Sequence, residues 1–330
     1  MNYRKLGSSD VMVSEITFGA WAIGGWMWGG ADDKEALEAI AQSYDLGINT
    51  IDTAPVYGFG HSETLVGKAI AGKRDQFVVL TKFGLSWYSD KGEFHFDSHD
   101  NDGNPVKIYK YGGKERVIKE CEDSLKRLGT DYIDLLQIHW PDRTTPVEET
   151  FEAVEQLIQQ GKVRAAGVSN YDRELMALAN KTTDIATNQV PYSMVLRNIE
   201  KDLMPWCVEN GKGIIAYSPL QRGLLTGKIT EDYHFNAGDH RPGTPHFQKE
   251  NIRRTNAFLD NIKPIARDKG CSLAQLVINW TLAQPAMATV LVGARNSAQA
   301  GENARAADYP LTAEEITMIN EHLDKLELQL

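Results

Sequence analysis

Short apolar runs alternate along the chain with longer stretches whose apolar positions recur at helical spacing, the signature of repeated βα units. The runs predict strands near 16–19, 49–52, 77–81, 133–138, 163–168, 185–189, 213–217 and 288–293. The stretches between them predict helices near 33–46, 62–71, 114–128, 148–159, 172–180, 200–209, 252–283 (broken near Gly270), 297–306 and 312–326. In 114–128, Val117, Ile118, Cys121, Leu125 and Leu128 share one face, so Cys121 reads as a core residue rather than a nucleophile. Ahead of the first strand, two short apolar segments flank Gly7-Ser8-Ser9-Asp10, which predicts a hairpin.

Eight alternating units predict an α/β fold, a (β/α)₈ TIM barrel with an N-terminal hairpin, whose reactive groups sit at the carboxyl ends of the strands. No break in composition splits the chain, so residues 1–330 read as a single domain. Asp52, Lys82, His139, Asn170, Gln189, Ser218 and Arg295 each follow a short apolar run. Any one of them alone reads as a cap or a turn residue; seven from seven strands point to a site. Two connections, 83–113 and 218–250, are too long for turns and would lie on the same face, where long unstructured loops usually carry function. Trp21, Trp26, Trp28, Trp87 and Trp140 also follow predicted strands and imply an apolar-walled pocket, whereas Trp206 and Trp280 fall within helices.

Charge narrows the choice of ligand. Asp plus Glu outnumber Lys plus Arg by 45 to 35, a net charge of −10, which argues against nucleic acid and against a polybasic membrane patch. An anionic ligand must therefore meet a local cluster of positive charge. No segment has the pattern of a signal peptide or a membrane span, and three scattered cysteines fit a reducing compartment, so a cytoplasmic location is expected.

Several motif-like stretches do not carry chemistry. Gly223 to Lys228 (GLLTGK) is one residue short of a phosphate-binding loop and lacks its hydroxyl. Ser98 to Gly103 imitates a calcium loop without its first carboxylate, and His95, Asp97 and His99 read as a solvated loop rather than a metal site. No G-x-G-x-x-G follows a strand.

The residues that combine into chemistry are Asp52, Tyr57, Lys82 and His139. A phenol is a weak acid, and a neighbouring lysine ammonium is expected to lower its pKa and ease proton donation. Asp52 would keep Lys82 charged and oriented, and His139 would hydrogen-bond a carbonyl oxygen. Such a group reduces a carbonyl if a bound nicotinamide supplies hydride. The other reading is a buried Asp–Lys ion pair beside an incidental tyrosine.

DTAPVYG at 52–58, TK at 81–82, QIHW at 137–140, GVSN at 167–170, YSPLQRGLLTGK at 217–228 and GARNSAQAGEN at 293–303 resemble, in order, the aldo-keto reductase superfamily. The short GLLTGK and GARNxxQ forms are similar to the branch containing bacterial reductases and potassium-channel β-subunits. The resemblance implies a catalytic tetrad of Asp52, Tyr57, Lys82 and His139 with Tyr57 as proton donor, and NADPH extended across the barrel mouth. It implies Ser169, Asn170 and Gln189 on the nicotinamide amide, with Tyr217 stacked on its ring and Asp52 nearby. Ser218, Leu220, Arg222, Gly223 and Lys228 would surround the pyrophosphate, and Gly293, Arg295, Gln299, Glu302 and Asn303 the adenosine end. Ala20 and Trp21 would line the nicotinamide and substrate space. The substrate wall is expected from Trp21, Tyr57, Trp87, His139 and Trp140. The implied activity is reduction of small aldehydes or sugars; the alternative is a cofactor-binding sensor on the same fold. Gln221-Arg222 and the long 83–113 insertion depart from many relatives, so substrate size does not carry over.

Overall fold

The computed structural model describes residues 1–26, 30–235, 239 and 241–330. Thirteen strands and ten α-helices are present among them. The strands are β1 (Tyr3–Lys5), β2 (Met12–Ser14), β3 (Ile16–Gly19), β4 (Thr50–Asp52), β5 (Val78–Phe83), β6 (Leu85–Ser86), β7 (Glu93–His99), β8 (Pro105–Lys110), β9 (Ile133–Ile138), β10 (Val163–Ser169), β11 (Ile185–Pro191), β12 (Gly213–Tyr217) and β13 (Met287–Gly293). The helices are α1 (Asp33–Asp45), α2 (His61–Ile70), α3 (Lys114–Leu128), α4 (Val147–Gln159), α5 (Arg173–Ala179), α6 (Leu203–Glu209), α7 (Lys249–Lys269), α8 (Leu273–Leu282), α9 (Ser297–Ala304) and α10 (Ala313–Leu323). β3, β4, β5, β9, β10, β11, β12 and β13 pair in that order, all parallel, and β13 pairs back onto β3 to close an eight-stranded barrel.

Alternation along each strand divides the core in two. Val78 and Leu80 of β5 join Leu135, Ala165, Ile215 and Ala288 inside the barrel, while Val79 and Phe83 join the shell between strands and helices. Near the carboxyl ends the interior turns polar: Asp52, Lys82, Gln137 and Gln189 are all buried there. That layer is the floor of the site.

The β1–β2 hairpin plugs the opposite end, with Leu6, Val11 and Val13 packed into the inner cluster. Its turn fits only with glycine at position 7, where φ is +58° and an added Cβ would stand 1.8 Å from the Ala186 carbonyl oxygen. Gly7→Ala is therefore expected to destabilise the fold by about 1–3 kcal/mol or more. The check is a lower urea midpoint at unchanged m-value.

Two expectations need correction. The 83–113 connection is not unstructured: β6, β8 and β7 form a three-stranded antiparallel sheet standing beside the barrel mouth. The helix expected from 200 begins as a 3₁₀ turn over Asn198–Lys201 and becomes α-helical only at Leu203. Pro205 explains this, because in a helix begun earlier it would lie in the interior, lack an amide hydrogen and clash with the preceding turn. The break near Gly270 is present, with Gly270 left-handed at the end of α7 and a Ser272–Gln275 capping box opening α8.

Candidate active site

Asp52 ends β4, Lys82 lies at the end of β5 and His139 follows β9, so the register of these neighbouring strands sets those three side by side, and the loop leaving β4 brings in Tyr57. Lys82 Nζ donates to Asp52 Oδ1 at 2.6 Å and to the Thr53 carbonyl at 2.9 Å, with both side chains buried. The second carboxylate oxygen of Asp52 accepts from Gln189 Nε2 at 2.8 Å and from Gln137 Nε2 at 3.4 Å. Lys82 Nζ lies 4.9 Å from the centre of the Tyr57 ring. The Tyr57 and His139 rings meet edge-on, 5.7 Å apart.

Burial sets the protonation of this group. It raises the Tyr57 phenol above its ordinary value, with Lys82 pulling the other way and Asp52 reinforcing the rise. The expectation that Lys82 lowers the phenol holds for the lysine's own influence, but desolvation outweighs it. Burial also opposes the charge on Lys82, yet Asp52 and Tyr57 more than compensate and its pKa is raised. His139 is held well below its usual range by burial and by the charge of Lys82, so at neutral pH it is an uncharged imidazole able to donate one hydrogen bond.

Above this floor opens a cavity of about 680 Å³. Its walls include Trp21, Asp52, Tyr57, His139, Trp140, Ser169, Asn170, Gln189, Tyr217, Ser218, Leu220, Arg222, Gly223, Gly293, Arg295 and Gln299. Asn170, left-handed at φ +59°, donates to the His139 carbonyl at 3.0 Å and accepts from Tyr217 Oη at 2.8 Å, which ties the ends of β10 and β12 to the loop carrying His139. Ser218, Gln221 and Arg222 also hold positive φ without being glycine, so strained backbone gathers at this mouth.

Other expected site residues stand off the wall. Lys82 lies beneath it, fully buried. Ala20 is buried, its amide donating to the Asp52 carbonyl and its carbonyl accepting from Ser62. Trp87 packs edge-on to Phe59 and against Tyr88, behind the wall. Lys228 is exposed past the rim. Asn303 Nδ2 donates to the Gly293 carbonyl and braces the end of β13, whereas Glu302 accepts from Ser272 Oγ and ties α9 to the start of α8; neither lines the cavity. Trp28 falls outside the described residues.

Trp26 lines the wall, as its place among the pocket indoles implies, whereas sequence reasoning missed His95 and Phe96, together with Arg241 from the 218–250 connection. The aromatic alternation of Phe94 and Phe96 was the available signal for β7. Of the three residues that read as a solvated loop, Asp97 and His99 are exposed, but His95 is half-buried in the cavity wall. Among the described residues no group of His, Cys, Asp or Glu is placed to hold a metal ion.

A closed parallel barrel with a buried Lys–Asp pair under a tyrosine and a histidine at its carboxyl mouth defines a barrel oxidoreductase. The chain belongs to the aldo/keto reductase family, whose model matches residues 15–324. The solved glycerol dehydrogenase AKR11B4 of Gluconobacter oxydans superposes with a TM-score of 0.89 at 38% identity, covering 99% of this chain and 97% of that one. The NADH-specific methylglyoxal reductase of Escherichia coli is 36% identical over 98% of both chains. A probable voltage-gated potassium channel subunit beta of Arabidopsis thaliana is 32% identical over 93% of this chain and 92% of its own. Both sides of the branch suggested by the short motifs are thus represented.

Proposed function

We propose that this aldo/keto reductase is an NADPH-dependent carbonyl reductase acting on small aldehydes or sugars, with Tyr57 as the proton donor. The observation that carries the reading is the meeting of Tyr57 and neutral His139 at the cavity floor, over the buried Lys82–Asp52 pair.

A nicotinamide dinucleotide fits the remainder of the cavity. Arg222 and Arg295 face it without an ion pair among the described residues, so positive charge is available in an acidic protein where a phosphorylated ligand needs it. Gln189 Oε1 has no protein donor among the described residues and suits a carboxamide N–H. When bound, such a cofactor supplies the hydride for carbonyl reduction. Ser169, Asn170 and Gln189 would hold the nicotinamide amide, Tyr217 its ring face, Ser218, Leu220, Arg222 and Gly223 the pyrophosphate, and Gly293, Arg295 and Gln299 the adenosine end.

The chain's own steps are few. A ring N–H of His139 donates to the carbonyl oxygen and fixes its direction beside Tyr57. Charge develops on that oxygen as the carbon is reduced, and the Tyr57 hydroxyl delivers its proton there. The phenolate left behind is stabilised by Lys82, which Asp52 keeps charged and in place. The indole walls of Trp21 and Trp140 keep water from the reacting carbon.

Cofactor choice tests the other end of the site. Arg295 is exposed at the end of β13, and its guanidinium suits a 2′-phosphate, the group that separates NADPH from NADH. Arg295→Ala is expected to weaken NADPH about ten- to a hundredfold and leave NADH nearly untouched. Fluorescence titration of both cofactors decides this. Equal losses would mean that Arg295 does not read the phosphate and that cofactor preference is set by other residues.

A further inference from the structure

The sheet added between β5 and α3 carries one irregularity, and it faces the cavity. β7 and β8 pair Phe94 with Tyr109 and then Phe96 with Ile108, so His95 is an extra residue, a β-bulge. In a regular strand His95 and Phe96 would point to opposite faces; the bulge lets both line the cavity. The arrangement is braced, because Trp26 stacks on Phe96 at 6.1 Å and its Nε1 donates to Ser98 Oγ of the same strand at 3.0 Å.

His95 is held between aromatic rings, its own ring 5.3 Å from Trp140 and 4.9 Å from Phe96. Its ring nitrogens make no hydrogen bond among the described residues. Two other histidines do: His61 Nε2 meets Asp33 at 2.7 Å, and His246 Nε2 meets the Val195 carbonyl at 3.3 Å. A half-buried imidazole with no protein partner, on a braced bulge in the wall of a reaction cavity, is placed to meet a ligand.

We infer that His95 hydrogen-bonds a hydroxyl group of the substrate, so that the preferred substrates are short 2-hydroxyaldehydes and related hydroxylated carbonyls rather than plain alkanals. This rests on the reading of Tyr57 and His139 as the reducing pair. His139 takes the carbonyl oxygen, and His95 opens onto the same cavity beyond Trp140, the residue following His139. Burial and the charge of Lys110 hold the His95 pKa below its usual value, so at neutral pH the ring offers one donor and one acceptor, the same inventory as a hydroxyl. Trp140 and Phe96 cover the C–H faces of a short carbon chain. A plain alkanal leaves the imidazole without a partner once water has been expelled.

The test is the ratio of kcat/KM for 2-hydroxypropanal to that for propanal. In the wild type this ratio is expected to exceed one. His95→Leu should lower it about tenfold, the size of one lost hydrogen bond. His95→Phe, which keeps an aromatic wall, should lower it similarly and serves if the leucine variant folds poorly. His95→Gln, with a donor and an acceptor, should hold it within a factor of about three. A ratio unmoved by His95→Leu or His95→Phe, including equal losses on both aldehydes, overturns the inference while leaving carbonyl reduction standing. Failure of the wild type to turn over either aldehyde removes carbonyl reduction and this inference together.

Discussion

Tyr57→Phe is expected to lower kcat by about 10²–10⁴-fold while cofactor affinity stays near the wild-type value, because the change removes a proton and keeps a ring. The phenyl ring still meets Trp21, 6.1 Å from Tyr57 in the native site, and still covers Lys82. What disappears is the hydroxyl of the ring that meets His139 and lies over the lysine. The measurement is single-turnover reduction of an aldehyde by the cofactor-saturated variant, alongside a fluorescence titration of cofactor. Retention of most of the wild-type kcat would show that the proton comes from elsewhere.

Lys82→Met should damage both stability and chemistry. In the native fold the Lys82 ammonium is fully buried, 2.6 Å from Asp52 Oδ1, and removing it leaves a buried carboxylate facing only amide donors. Breaking a buried pair from one side costs about 3–5 kcal/mol. The deficit should shrink on acidification, since protonating the stranded carboxylate relieves it. The lysine's raised pKa works at the other end of the scale: its stabilising share is fully present below its ordinary value of 10.5 and is lost as pH rises through the higher folded value. Chemical denaturation at several pH values, beside the pH–rate profile of any remaining activity, measures both effects. Unchanged melting together with an unchanged profile would refute the coupling of Lys82 to Asp52 and Tyr57.

The barrel was legible because parallel strands buried on both faces read as apolar runs, and seven of the eight runs lead into a polar residue. Asp52, His139, Asn170, Gln189, Ser218 and Arg295 could be assigned to one mouth on that ground before any contact was known, and all six line the cavity. The direction of the Tyr57 shift was not legible, since it depends on how far desolvation outweighs Lys82, a balance of depth rather than of residue type. The 83–113 sheet escaped for a different reason. The bulge at His95 breaks the two-residue period in the middle of β7, and Asp100 to Asn104 form a polar turn that reads as loop. Trp87 shows the limit of reasoning from order along the chain: it follows a barrel strand as Trp140 does, but the added sheet turns it behind the wall.

If the cavity floor reduces a carbonyl with a proton from the protein and a hydride from a bound nicotinamide, cofactor oxidation and alcohol formation must be coupled one to one. The most direct test mixes the purified chain with NADPH and a panel of short aldehydes, following loss of reduced-nicotinamide absorbance while the alcohol is quantified. One alcohol formed for each NADPH oxidised is the predicted result. A chain that binds NADPH yet oxidises none of it with any aldehyde would contradict the account and favour a cofactor-sensing role on the same barrel.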